Sequence, residues 1–458
     1  MSEGVLGVDV GLTGVRATVL RRDGTLAAGA RRRHQRVQMG EGVGEHDPRD
    51  WLEGLAAAGQ EAVAGARDVT IGAVGVAALG PAPVLVDEDL APLTEAPLFS
   101  LDRRSEPQRD RMTRTLAAEE AARTLDNALP KLAWWRDTEP ALGARAAWAL
   151  DATGFLVASL TGVPVMDTVT AGDYQLPGMD SPFPLPVPTD PLAVAGELSA
   201  GAAERLGVPA GLPVVCGTYD SFADIAAAGV RGPGDAGLVL GSTMIVCRAA
   251  QEARPQAGLG VSGYPGDGVL LGGWTLSGGL VLDWFARGLG GGRSQDELAE
   301  RAARVGAGGV VALPYLAGER TPLWDLQARA AFLGLSLDSG PPRLYRALTE
   351  SLALVVRDHT ERIERTLGSC PAWRVTGGGT RNRLWLQDTA DAIGAPLDVA
   401  ADAAEAVGPA LLALRALGFD PEREPVRRVE PDAARAPHFD SLLVGFRELG
   451  ALTQGFGR

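Results

Sequence analysis

Asp220 stands in Cys216-Gly217-Thr218-Tyr219-Asp220-Ser221, after the apolar run Leu212-Pro213-Val214-Val215 and before the small, Ala-rich stretch Phe222 to Gly229. The first run reads as a buried strand and the second as a closely packed helix. A carboxylate at such a corner can cap the helix, or it can accept the proton of a substrate hydroxyl while a phosphoryl group transfers in line. Asp9 meets the same choice at the end of a strand over residues 5–10. It can cap the turn that follows, or stand on the metal side of a phosphate site and hold Mg²⁺ through water.

Three glycine-rich turns, Gly11-Leu12-Thr13-Gly14, Gly241-Ser242-Thr243 and Gly377-Gly378-Gly379, each follow a predicted strand. Glycine lets backbone N–H groups approach phosphate oxygens with no side chain in the way. Thr13, Ser242 and Thr243 add hydroxyl donors. Together the turns point to a nucleotide. None fits Gly-x-x-x-x-Gly-Lys-Ser/Thr, and none is a Gly-x-Gly-x-x-Gly opening a helix, so P-loop and Rossmann sites are disfavoured.

The elements that must position these residues alternate between hairpins and helices. Strands are expected over 5–10, 15–20 and 26–30, with a helix from Pro48 to Ala66 that Asp47 can cap and on which Trp51, Leu52, Leu55 and Ala58 share a face. Val69 to Ala78 reads as a buried strand and Val84 to Asp87 as the start of another hairpin. Residues 106–163 read as mostly helical, including Ala144 to Leu160. Proline-rich residues 176–191 read as an ordered surface loop. After Val230 to Asp235 the opening pattern returns: strand 236–240, turn 241–243, strand 244–248. This suggests a duplicated fold, although two glycine hairpins in a chain with 60 glycines can also look alike by chance. A strand is expected over 269–274, followed by helices over 280–288, 344–367, 384–393, 407–417 and 438–452, with a strand at 373–376.

At 458 residues the chain is too long for one core. Its net charge of −14 disfavours nucleic acid and anionic membranes as partners. Lys131 is the sole lysine, and compositional bias explains this more simply than selection for arginine. Cys216, Cys247 and Cys370 are too widely spaced for a disulfide framework or zinc site and read as buried thiols. With no apolar leader or membrane-length run, a cytoplasmic protein is expected.

Asp9-Val10-Gly11-Leu12-Thr13-Gly14-Val15-Arg16 resembles the first phosphate motif of the FGGY carbohydrate kinases, in the actin/hexokinase/Hsp70 superfamily. The resemblance runs nearly end to end. Leu101-Asp102-Arg103-Arg104 is similar to the sugar-site Trp-x-Asp-x-Arg segment, with Ser100 in place of Trp. Leu160-Thr161-Gly162 with Asp167, Gly217 to Asp220 with Gly229, and Gly377 to Asn382 match further motifs. So do Ala404 to Ala410 and, most specifically, Pro314-Tyr315-Leu316-Ala317-Gly318-Glu319-Arg320-Thr321-Pro322.

The resemblance implies an α/β fold of two ribonuclease H-like (actin-like ATPase) domains with an interdomain cleft, residues 1–231 and 232–458. It implies an ATP- and Mg²⁺-dependent kinase of a small sugar or polyol, xylulokinase-like, with Asp220 as catalytic base and Asp9 on the metal side. Gly11, Thr13, Arg16, Gly241, Ser242 and Thr243 would contact phosphates. Gly279, Gly378, Gly379 and Asn382 would line the nucleotide side. Asp102, with Asn127, Tyr219 and Trp274, would read the sugar, while Arg103 could instead pair with a neighbouring carboxylate. The Gly318 to Pro322 segment is expected to be structural. Leu79-Gly80-Pro81-Ala82-Pro83 departs from the family, which places polar groups there in glycerol kinases and xylulokinases; apolar residues cannot bond substrate hydroxyls. That departure alone supports the alternative, a silent nucleotide- or sugar-binding sensor. An Hsp70- or actin-like ATPase would not need the sugar-site motifs. The resemblance leaves room for a homodimer.

Overall fold

The computed structural model describes residues 2–40, 42–264, 268–401, 407–422 and 425–453. Its contacts divide the chain into two compact units: Met1–Ala227 with Ser262–Asp267 and Glu405–Arg423, and Ala228–Val261 with Gly268–Ala404 and Glu424–Arg458.

The first unit is built on a mixed sheet. Strand Ser2–Gly11 pairs antiparallel with Gly14–Arg21, which pairs antiparallel with Leu26–Arg33. On its other side Ser2–Gly11 runs parallel to Val69–Ala78, which is parallel to Pro213–Val215. Val194–Glu197 closes that edge antiparallel. The inner strands are long apolar runs because helices cover them. Trp51, Leu55 and Ala58 of helix Pro48–Gly65 are buried, and Asp47 caps that helix by accepting from the Arg49 N–H.

The second unit repeats this order. Ala236–Leu240 pairs antiparallel with Met244–Ala250, which pairs antiparallel with Val269–Trp274. Ala236–Leu240 is also parallel to Trp373–Thr376, which is parallel to Leu397–Val399, with Arg427–Val429 antiparallel at the edge. In each sheet the first strand has two successive antiparallel pairings on one side and two parallel ones on the other. An antiparallel edge strand closes the parallel side; it precedes its partner in the first unit (Val194–Glu197) and follows it in the second (Arg427–Val429). The repeated strand–turn–strand opening reflects this shared architecture and is no accident of glycine content.

Several local expectations need correction. Ala144 to Leu160 is not one helix: strand Trp148–Leu150 interrupts it before helix Ala152–Thr161. Val84–Val86 does turn back on itself, with the Asp87 N–H donating to Ala91 O and the Leu93 N–H to Leu85 O, and it pairs in addition with that same Trp148–Leu150. Helix Gln295–Val305, with Ser294 and Glu297 forming a capping box, escaped the periodicity reading. Helix Gly408–Ala416 packs on the first unit's sheet. Gly7 and Gly75 permit that approach, since a Cβ on Gly7 would lie 2.3 Å from Ala410 N and one on Gly75 2.1 Å from Pro409 O. Of the Ala404 to Ala410 motif, residues 404–406 fall outside the described residues. All three cysteines are free and buried.

Candidate active site

In the first unit, parallel pairing aligns the strand ends that carry the acids. Asp9 lies opposite Ala77, and Tyr219 opposite Ala78, so Asp9 and Asp220 emerge at the carboxyl ends of the two strands that flank Val69–Ala78 in parallel. Ligands of open α/β sheets gather at such ends. Gly11 marks the point of convergence. A Cβ built on it would lie 4.0 Å from Asp220 Oδ2 and 4.0 Å from Asp9 Oδ2. Arg16, opposite Asp9 in the hairpin register, brings Nη1 to 3.9 Å from the Asp9 carboxylate.

Asp220 begins the helix Asp220–Ala227, and its Oδ1 accepts from the Ser221 N–H at 2.6 Å. Burial pushes its pKa up to about 6, against that bond and the Arg16 charge. Burial raises Asp9 well above the carboxylate range; Arg16 opposes this, while Asp220 and Asp224 add to it. Asp224 was missed by sequence reading. It lies one helical turn beyond Asp220, and burial plus Asp220 push it up to about 7. Only the i, i+4 spacing from Asp220 could have flagged it.

Among the described residues no three His, Cys, Asp or Glu side chains are grouped to hold a metal ion directly. The donor set here, a buried carboxylate beside a glycine turn with Arg16 nearby, fits a hydrated Mg²⁺ better than a dehydrated cation.

The hairpin loop Leu12-Thr13 is exposed at Thr13. His34 holds the loop from behind: its N–H donates to Thr13 O at 3.3 Å, and its Nε2 lies 2.8 Å from Gly11 O. The Leu12 and Thr13 N–H groups have no hydrogen-bond partner among the described residues.

The sugar-side candidates of this unit are largely engaged. Asp102 Oδ2 accepts from the Gly44 N–H at 3.1 Å, and both its oxygens accept from Arg104. Arg104 also pairs with Glu45 and lies over the Trp134 ring, 4.6 Å from its centroid. Arg103 pairs with Glu106 at 2.7 Å. Asn127 donates to Gln175 O and accepts from the Leu129 N–H. Tyr219 packs on the departing segment: a Cβ on Gly80 would sit 1.9 Å from the Tyr219 ring. In that segment the Ala82 N–H donates to Asp151 Oδ1 at 2.9 Å.

In the second unit the remaining candidates gather around the end of strand Ala236–Leu240. The Gly279 and Leu280 N–H groups donate to Gly241 O and Ser242 O at 2.9 and 3.1 Å, so the start of helix Gly279–Gly288 holds the turn. A Cβ on Gly279 would lie 3.0 Å from Gly241 O. Across the parallel pair, Gly377 and Gly379 lie against Leu240, where added Cβ atoms would be 2.6 and 2.7 Å from its carbonyl oxygen. Asn382 caps helix Arg383–Ile393 through Trp385 N and donates to Tyr345 OH.

Trp274 ends strand Val269–Trp274, and its carbonyl accepts from Thr321 Oγ1 at 3.0 Å. Glu319 accepts from Leu276 N and Ser277 Oγ, while Arg320 Nη2 donates to Thr275 O. The Gly318 to Pro322 segment thus braces the chain that leads into Gly278 and Gly279, a structural role.

Two family models match the chain: "FGGY family of carbohydrate kinases, N-terminal domain" over residues 4–181 and the corresponding C-terminal domain over residues 237–417. A xylulose kinase of Bacillus subtilis is 25% identical, covering 84% of this chain and 83% of the relative. An erythritol kinase of Brucella abortus is 33% identical over 55% of this chain and 54% of its own. The crystal structure of xylulose kinase from Rhodospirillum rubrum superposes with a TM-score of 0.84 at 28% identity, covering 99% of each chain.

Proposed function

The chain belongs to the FGGY family of carbohydrate kinases, and from that premise we propose that it transfers the γ-phosphoryl group of ATP to a hydroxyl of a small sugar or polyol, with Asp220 as general base. The observation that carries this reading is the convergence of Asp220 and Asp9 on Gly11, at the mouth of a turn whose loop N–H groups have no hydrogen-bond partner among the described residues.

Asp220 takes the proton of the attacking hydroxyl as the new O–P bond forms and the bond to the bridging oxygen of ADP breaks. A pKa near 6 keeps the carboxylate ionised at neutral pH yet basic enough to receive that proton. Asp9 would hold the hydrated Mg²⁺, which when bound neutralises phosphate charge. Arg16, Thr13 and the Gly11 turn face phosphate oxygens. Ser242, Thr243, Gly241 and Gly279 form the corresponding turn of the second unit, and Gly378, Gly379 and Asn382 lie against the nucleoside. Positioning and charge neutralisation carry most of such a reaction, so this set is sufficient.

Asp102, Asn127, Tyr219 and Trp274 remain the candidates around the acceptor. Asp102 and Asn127 act through the groups they hold, because their own hydrogen-bonding atoms are engaged. The apolar Leu79 to Pro83 segment, packed on Tyr219, argues for an acceptor other than glycerol. Residues 1–231 supply the acids and sugar side in this reading, and residues 232–458 the nucleotide side. Helix Gly408–Ala416 is the exception to that division, since it packs on the first sheet.

The test is coupled ADP release over a panel of ketoses and polyols including D-xylulose, erythritol and glycerol. Turnover stimulated by at least one supports the kinase. Nucleotide binding with no stimulated turnover on any would favour the silent sensor instead.

A further inference from the structure

Among the described residues His34 is the one side chain that hydrogen-bonds a carbonyl of the Gly11–Gly14 turn, and no motif of the sequence singles it out. Its side chain is 3% exposed. Nε2 lies 2.8 Å from Gly11 O and Nδ1 3.4 Å from Asp50 Oδ2. Because a carbonyl only accepts, Nε2 carries the proton of that bond. Asp50 is itself fixed, accepting from the Gln35 and Arg36 N–H groups at 2.8 and 3.3 Å. The His46 ring stands 4.7 Å from the His34 ring, and Trp51 Nε1 donates to His46 Nδ1 at 3.1 Å. Helix Pro48–Gly65 therefore places Asp50 beside Nδ1 and, by way of Trp51 and His46, packs the face of the ring.

We propose that His34 is a positioning residue for the phosphate turn. Its backbone N–H holds Thr13 O and its imidazole holds Gly11 O, so that the loop N–H groups of Leu12 and Thr13 stay directed at the nucleotide phosphates. The second unit achieves the same end differently, with the backbone of Gly279 and Leu280 taking the carbonyls of Gly241 and Ser242. In the first unit, among the described residues, no helix-start N–H bonds a carbonyl of the turn, and a side chain takes that place. This inference rests on the reading of Gly11–Gly14 as a phosphate turn.

Calorimetric titration of the full chain with MgADP tests both. His34→Leu removes the bond to Gly11 O and retains the backbone bond to Thr13 O; loss of one such bond corresponds to about three- to tenfold weaker binding. His34→Gln retains an amide donor and should recover most of that loss. His34→Asn, too short to reach Gly11, should behave like His34→Leu and replaces it should the leucine variant not fold. In turnover with any accepted sugar, KM for ATP should rise while KM for the sugar stays put. Equal MgADP affinity in wild type and the Leu or Asn variant would overturn the inference alone. So would parallel losses for ATP and sugar, or no rescue by Gln. Failure of the wild-type protein to bind MgADP would overturn the phosphate-turn reading beneath it.

Discussion

Asp224 stands one helical turn from Asp220, and the Asp220 carboxylate disfavours ionisation of Asp224 in a site that burial has already made hostile to charge. Asp9 adds a third acid, raised in turn by Asp220 and Asp224, and Arg16 is the cation that offsets it. Asp220 ionises before Asp224, so Asp220 sets the low-pH edge of the profile.

The first prediction concerns that profile. A carboxylate base works deprotonated, so kcat/KM should rise with pH and lose activity below about 6, the value to which burial lifts Asp220. Asp220→Asn should cut kcat by about 10²–10⁴-fold and leave MgATP binding nearly intact. Asp224→Asn should leave that acid limb in place with kcat largely kept, because burial and the Asp220 charge lift Asp224 to about 7 and keep it largely protonated where Asp220 titrates. A limb that moves in Asp224→Asn would show that Asp224 carries charge there and helps set it.

Asp9 gives a separable prediction. Acting on a hydrated metal through water, it should affect the magnesium requirement more than the maximal rate. Asp9→Asn is expected to need about 10–100-fold more Mg²⁺ for half-maximal velocity, the usual cost of disturbing an outer-sphere partner. A magnesium titration that overlays the wild-type curve would remove Asp9 from the metal side.

The placement of Asp9, Asp220 and the three glycine turns was legible because it is local: a strand end, a corner, a turn between strands. The duplicated sheet was legible in outline from its two hairpin openings. What stayed hidden depends on distant partners. Strand Trp148–Leu150 is Ala- and Leu-flanked and reads as helix until its pairing with Val84–Val86 overrides propensity. The return of helix Gly408–Ala416 to the first sheet cannot be read from periodicity, which gives a helix but not its destination. Asp102 looked like a free acceptor for a hydroxyl, yet Gly44 and Arg104 fill its oxygens from other segments. His34 carried no motif at all.

Asp151 links the departing segment to stability. Its Oδ1 accepts from the Ala82 N–H and from Tyr174 OH at 2.8 Å, and burial nevertheless pushes its pKa up to about 8. The folded protein then binds a proton that the unfolded chain releases in the ordinary aspartate range. The stabilisation linked to that proton is complete at low pH and is lost as pH rises through about 8. Asp151→Asn keeps an Oδ1 acceptor for both donors and carries no charge. Its melting temperature should therefore fall less than that of wild type between pH 6 and pH 9. Melting curves that shift in parallel across that range would refute the assignment.

Adjacent glycines in the Gly377–Gly379 turn give the last test, because one faces protein and the other faces space. A Cβ on Gly379 would lie 2.3 Å from the Trp385 ring and 2.7 Å from Leu240 O, whereas one on Gly378 would meet no atom within 4 Å. Gly379→Ala must displace a buried tryptophan or the strand end, so its melting temperature should drop whether or not nucleotide is present. Gly378→Ala should melt like wild type in the apo state. If the nucleoside lies against this loop, the added methyl meets the ligand instead, and MgADP should bind more weakly and stabilise the variant less. A Gly378→Ala protein with wild-type melting and wild-type MgADP affinity would move the nucleoside away from Gly378 and leave Gly379 with a packing role alone.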